Sequence, residues 1–204
     1  MGRAVVVAEE LGVRTRRGWI FSGIELEAGA GELVAVGGAG GTGRSSFLLT
    51  LGGRMRPSMG DLWVCEQKSP PRIRGLVAVG RIGGAAEPED ELTVRDHVNE
   101  RSIIAGKGRE PFGTACERLG TRFEAGERVG GMATERRTLL ALALALMERT
   151  PVVLLDDLDD GAPPAGQRRL WQAARRAADG GTVVIAATTD PDPAEGVADT
   201  VVRL

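Results

Sequence analysis

Several things that would settle a function quickly are scarce in this chain. Its 204 residues include no tyrosine, one histidine, two cysteines and only 3% aromatics. Two cysteines cannot build a disulfide scaffold. Cys65 and Cys116 also lie far apart, in no CxxC or His/Cys ligand spacing, so they read as reduced, inert thiols of a cytosolic protein. An excess of one charge is missing too: 26 Lys+Arg against 28 Asp+Glu give a formal net charge of -2, which provides no overall basic field for polyanions. Nucleic acid is therefore not an expected partner. The most apolar stretch, 139–147, is far shorter than the about 20 residues that cross a bilayer. The opening apolar run, 4–8, ends in Glu9 and Glu10 and is too short and wrongly flanked for a signal peptide. Gly2 is no myristoylation start, because Val6 stands where a small hydroxyl is required. Any membrane role is expected to be borrowed from another chain.

What is present points to a folded α/β protein. The length allows one medium domain with a small inserted lobe, and 42% hydrophobic residues support a buried core, which excludes a disordered chain or a collagen. Short Val, Ile and Leu runs at 5–7, 24–26, 33–36, 76–79, 152–155, 183–187 and 201–204 lack strict alternation, as strands of a parallel sheet covered on both faces do. Helices are predicted over 44–51, stopped by Gly52 and Gly53, over 134–148 with Thr134 as its cap, and over 165–179, ended by Gly180 and Gly181. Between 83 and 131 glycine, proline and charge dominate, with 92–98 and 114–119 as short helical candidates. This segment is read as a small lobe inserted into a single unit spanning 1–204.

One segment carries recognisable chemistry. Leu33 to Val36 reads as a strand, Gly37, Gly38, Ala39, Gly40, Gly41, Thr42 and Gly43 as a glycine loop, and Arg44, Ser45 and Ser46 as the start of a helix. Glycines let successive backbone N–H groups converge on a phosphate, and a helix start offers free amides and a favourable dipole. From Gly38 to Ser45 this resembles the P-loop pattern GxxxxGK[ST], with Arg44 in place of lysine. Ser45 would then place a hydroxyl on Mg2+.

Further segments resemble an ATP-binding cassette, the ATPase domain of ABC transporters, in chain order. They are Ile24-Glu25-Leu26 with Gly31-Glu32, then Gly52, Pro57, Gly60 and Leu62-Trp63-Val64. Leu76 to Arg81 followed by Leu92 to Asp96 resembles the Q-loop strand and the start of the helical lobe. The run 152–155 followed by Asp156 and Asp157 resembles a Walker B strand, and Gly181 to Asp190 resembles the strand leading to the switch histidine. The resemblance implies a P-loop NTPase fold: a mainly parallel sheet flanked by helices, with a small antiparallel β-lobe and an inserted helical lobe. It implies ATP and Mg2+ as ligands, a nucleotide held by Gly38, Gly40, Gly41, Thr42, Gly43, Arg44, Ser45 and Ser46, and a metal held by Ser45 and Asp156. It also implies a homodimer or a heterodimer with a related ATPase domain, and a separately encoded membrane-spanning partner that would hold the chain at the inner face of the membrane.

The chain departs from the family at the groups that drive hydrolysis. Asp157 stands where the family has a glutamate, and one methylene fewer draws the carboxylate back by about 1 Å, a misplacement that can cost ~100-fold in rate. Arg81 replaces the Q-loop glutamine and Thr189 the switch histidine. These three are the candidate catalytic residues. Met132 to Arg136 matches the signature segment without its paired glycines, and Glu135 would bring negative charge toward a facing phosphate. Trp19 is displaced from the aromatic that stacks on adenine and is read as packing on the β-lobe, His97 as a packing or surface residue, and Asp159 and Asp160 as a solvated turn. The expectation is an ATP-binding transporter subunit with weak hydrolysis; the alternative is a non-hydrolytic nucleotide-binding regulatory module.

Overall fold

A computed structural model describes residues 4–83 and 86–204; the reading of Gly2 falls outside them. The elements in chain order are β1 (Ala4–Thr15), β2 (Gly18–Gly29), β3 (Leu33–Gly37), α1 (Arg44–Leu51), β4 (Met59–Val64), α2 (Pro70–Arg74), β5 (Val77–Arg81), α3 (Val94–Ala105), α4 (Phe112–Leu119), α5 (Thr134–Leu146), β6 (Val152–Leu155), α6 (Pro164–Asp179), β7 (Val183–Thr188) and β8 (Thr200–Arg203). Two sheets result. The strands β2-β1-β4 form an antiparallel sheet, and β5-β6-β7-β3-β8 form a five-stranded sheet whose pairings are all parallel. The expected P-loop NTPase architecture, a parallel sheet with a small antiparallel one, is what the chain adopts.

The lack of alternation in the strand runs has a direct cause. Val34, Val36, Val152, Leu154, Val183, Ile185 and Ala187 face one core, shared with Phe47, Leu48 and Leu51 of α1 and with Val6, Leu11, Phe21 and Leu26 of the antiparallel sheet. Their neighbours Leu33, Ala35, Val153, Leu155, Val184 and Ala186 face a second core built with α5 and α6. Successive side chains point to opposite faces, and here both faces are covered.

Helix α5 is buried nearly all round because it has partners on two sides. Leu142 and Leu146 join the sheet core, while Leu140, Leu144 and Met147 pack with Val94 and Val129 beneath α3. An amphipathic stripe is not needed there. Its predicted cap is corrected: Thr134 lies inside the first turn, the N-cap is Ala133, and no side chain caps this end. The real capping box lies earlier, where the Thr93 and Asp96 side chains and backbones bond reciprocally and launch α3. Helix α3 runs on to Ala105, well past the expected 92–98, and ends at Gly106, which has φ 64°. Helix α2, with Ile73 its one buried side chain, is too short to show by periodicity, and β4, whose apolar residues Met59, Leu62, Trp63 and Val64 are interrupted by Gly60 and Asp61, was not among the expected strands.

Candidate functional site

Four adjacent strands, β5, β6, β7 and β3, end on the same edge of the parallel sheet, the edge where ligands bind in open α/β folds. Backbone bonds stitch their ends together. Asp156 N–H donates to Arg81 O at 2.8 Å, Leu158 N–H to Ala187 O at 2.9 Å, and Gly38 N–H to Thr188 O at 3.3 Å. Arg81, the Asp156-Asp157 pair, Thr188 with Thr189, and the glycine loop therefore stand side by side.

The loop after β3 is shaped for an anion. Gly41 and Gly43 take positive φ values of 85° and 98°, and a Cβ on Gly43 would lie 2.7 Å from Ile20 Cγ2, so only glycine fits there. Thr42 braces the turn internally, its N–H and Oγ1 both donating to Ala39 O, at 3.2 and 2.9 Å. A Cβ on Gly40 or Gly41 would meet nothing within 4 Å, and no side chain caps the start of α1. The amides at the start of α1 ahead of Phe47, whose N–H bonds Gly43 O, thus lie beside the open space at Gly40 and Gly41, with the helix dipole behind them. Ser46 lies one residue deeper, its carbonyl accepting from Thr50 Oγ1 at 2.7 Å.

The metal corner is half built by protein. Asp156 is 2% exposed, its Oδ1 accepts from Asp157 N–H at 3.1 Å, and its Oδ2 is buried with no hydrogen-bond partner. Burial pushes its pKa up; the hydroxyl of Ser45 beside it pulls down, the Asp157 charge adds to the rise, and Arg44 opposes it. An unpartnered buried carboxylate oxygen beside a serine hydroxyl is the donor set a hard cation takes. Among the described residues no cluster of three His, Cys, Asp or Glu could hold a metal unaided. Phosphate oxygens and water would have to complete the shell, so the residues present fit Mg2+ bound together with a nucleotide.

The candidate hydrolytic side looks different. Arg44, 9% exposed, does not reach into the hollow; its Nη1 lies 3.0 Å from Asp157 Oδ1. Asp157 has a left-handed backbone, φ 44°, which is uncommon outside glycine. Its carbonyl accepts from Arg81 Nη1 at 3.5 Å, and the same Nη1 donates to Thr138 Oγ1 at 3.3 Å, while Arg81 Nε lies 3.8 Å from Glu87 Oε1. Arg81 is therefore part of the site's framework. Thr189, one residue past β7, is exposed and has no hydrogen bond among the described residues. The sheet edge brings Arg44, Arg81 and Asp157 together and leaves Thr189 at the rim.

The neighbouring segments refine the sequence reading. Glu135 is held by Arg169 through two bonds of 2.8 and 2.7 Å, which lower its pKa and offset the negative charge expected at the signature segment. Arg136 forks onto Glu127 at 2.8 and 2.7 Å and covers the ring of Phe123. Trp19 is 47% exposed, with its ring edge against Gly12 and Arg14 above it. His97 is buried, accepting Glu89 N–H at 3.1 Å, in agreement with a packing role.

Asp159 corrects the expected solvated turn. It is 4% exposed and accepts from Trp171 Nε1 at 2.9 Å and from Thr188 Oγ1 at 2.8 Å. This ties the loop after β6 to α6 and to the end of β7. Its donors lie on other elements, so no local spacing could have announced it.

Residues 21–159 match the sequence pattern of the ABC transporter family. A protein of Streptomyces avermitilis assigned to the ABC transporter ATP-binding proteins is 32% identical over 98% of this chain, which spans 36% of that protein. The lipoprotein-releasing system ATP-binding protein LolD of Oleidesulfovibrio alaskensis is 31% identical over 68% of this chain and 64% of its own length. The chain thus spans less than two thirds of either relative. Among solved structures, cbiO1 of Clostridium perfringens, part of the ABC transporter complex cbiONQ, superposes with a TM-score of 0.76 at 20% identity, over 98% of this chain and 84% of that one. A nucleotide-free ATP-binding cassette from an ABC transporter reaches 0.80 at 14% identity, over 99% and 88%. At those identities the two structures speak for the fold.

Proposed function

Because the chain belongs to the ABC transporter family as an ATP-binding cassette, we propose that it binds MgATP in the hollow before α1. We propose further that it couples nucleotide-driven dimerisation and slow hydrolysis to a separately encoded membrane protein. The observation that carries this reading is the buried, unpartnered Asp156 Oδ2 beside Ser45, next to a turn of open glycines. In it the amides of the loop and of the start of α1 that are not already bonded, unlike those of Gly38 and Thr42, cradle the phosphates, Ser45 and Asp156 hold Mg2+, and Asp157 accepts a proton from water. Bound Mg2+ supplies neutralisation of phosphate charge. Arg81 and Thr189 stand where water and the terminal phosphate would be sensed, and the missing methylene of Asp157 makes turnover slow, well below one per second.

The segment 83–131 is the inserted lobe of a single unit over 1–204 in this proposal, and a second copy or a related ATPase domain completes the site. No helix among the described residues is long and apolar enough to cross a membrane. Attachment to the inner face of the membrane would therefore run through the partner, and nothing supports a nucleic-acid ligand. A fluorescent ATP titration tests the pocket. Arg44→Ala is expected to weaken binding, and Ser45→Ala to remove its dependence on Mg2+. Unchanged affinity and unchanged Mg2+ dependence in both variants would reject the site.

A further inference from the structure

Three of the positions at which this chain departs from the cassette pattern do not act one by one: Arg44, Asp157 and Arg81 meet in a single cluster. We propose that Asp157 is the internal counter-ion of Arg44, so that this pair must open before a nucleotide phosphate can take the arginine, and that Asp157 thereby sets nucleotide affinity. The inference rests on the MgATP reading of the same site.

Each member of the cluster fits this role. A guanidinium reaches farther than an ammonium and presents a planar fork to carboxylates and phosphates alike, so a carboxylate can stand in for phosphate at Arg44. Asp157 is aimed at it by its left-handed backbone, with Arg81 holding its carbonyl from the other side. The contact is close, 3.0 Å, yet Arg44 Nη1 and Asp157 Oδ1 are both buried without an aligned hydrogen bond. Charge alone joins them. A buried donor without a directed acceptor is costly, and a phosphate oxygen in the hollow would offer Arg44 the directed, charge-assisted bonds that Asp157 does not. Asp157, whose side chain is 35% exposed, can return to water when released. Asp156 Oδ2 remains unpartnered beside Ser45 while the pair is closed, although the charges of both Asp157 and Arg44 reach Asp156.

A double-mutant cycle, read by titration with Mg2+ and a non-hydrolysable ATP analogue, tests this without relying on turnover. Asp157→Ala is expected to tighten binding roughly tenfold, the scale of a partly buried ion pair no longer to be broken. In an Arg44→Ala background the same substitution is expected to change affinity less than about twofold. Equal tightening in both backgrounds would mean simple repulsion between Asp157 and the phosphates and would overturn the proposal, as would weaker binding by Asp157→Ala. Should Asp157→Ala not fold, Asp157→Asn, neutral and at ease in the left-handed region, carries the same cycle. Melting of the nucleotide-free protein gives a second reading: Asp157→Ala lowers the Tm and Arg44→Ala added to it restores part of the loss, whereas additive losses would contradict the pair. Absence of saturable binding in the unaltered chain would instead overturn the MgATP reading itself, an outcome distinct from any of these.

Discussion

The metal corner and the hydrolytic side share one sheet edge but are in opposite states. At Ser45 and Asp156 a buried carboxylate oxygen is left open, with a hydroxyl beside it and free loop amides nearby. At Arg44, Asp157 and Arg81 the charged groups have turned toward one another, and Thr189 stands apart at the rim. The difference teaches that ligand binding and hydrolysis can drift separately on one fold. In the proposed reading, the half that would recognise Mg-phosphate needs few side chains and much backbone, while the half that would activate water depends on side chains placed to within about 1 Å.

Loss of the metal ligand should give the largest effect. Asp156→Ala is expected to weaken nucleotide binding in Mg2+ by about 100-fold and to leave it unchanged in EDTA, measured by calorimetric titration. A uniform loss in both buffers would place the metal elsewhere. On the hydrolytic side, Asp157→Glu restores the missing methylene and should raise steady phosphate release at least tenfold, with ~100-fold as the ceiling. If release does not rise, reach is not what limits the reaction, and the contrast between the halves must be drawn on other grounds.

The comparison also has a structural foundation that can be removed. Asp159→Ala leaves the buried Trp171 indole without its acceptor, while the Thr188 hydroxyl keeps Asp190 O at 2.8 Å, and should cost roughly 1–3 kcal/mol in denaturant unfolding. Asp160→Ala, on the exposed part of the same loop, should leave the midpoint where it is. Equal midpoints for the two variants would return Asp159 to the solvated turn. Smallest of all is the expected response of the buried thiol. Burial pushes the Cys116 pKa up to about 11, so Cys116 is not expected to react appreciably with iodoacetamide at pH 8 in the native protein. Rapid native-state alkylation of Cys116 would contradict the packing of α4.

Much of this was legible in the sequence, for physical reasons. Strands covered on both faces must be apolar without alternation, so the runs at 33–36, 152–155 and 183–187 marked the centre of the parallel sheet. A phosphate-binding turn needs glycine where φ is positive, so 38–43 marked the cradle. What stayed hidden depends on partners brought together by the sheet edge. Arg44 and Asp157 come from different strand ends, Asp159 finds its donors on α6 and β7, and Glu135 is met by Arg169 from α6. The misplaced cap at Thr134 is a local failure of another kind: threonine serves as an N-cap or sits in the first turn, and one residue decides which.

The most direct test of the central claim is a crystal structure of the chain with Mg2+ and a non-hydrolysable ATP analogue. The account expects phosphate density in the turn formed by Gly38 to Ser45, a metal touching Ser45 and facing Asp156, and the Arg44 guanidinium turned off Asp157 onto phosphate. A vacant turn at saturating analogue, with Arg44 still against Asp157, would contradict it.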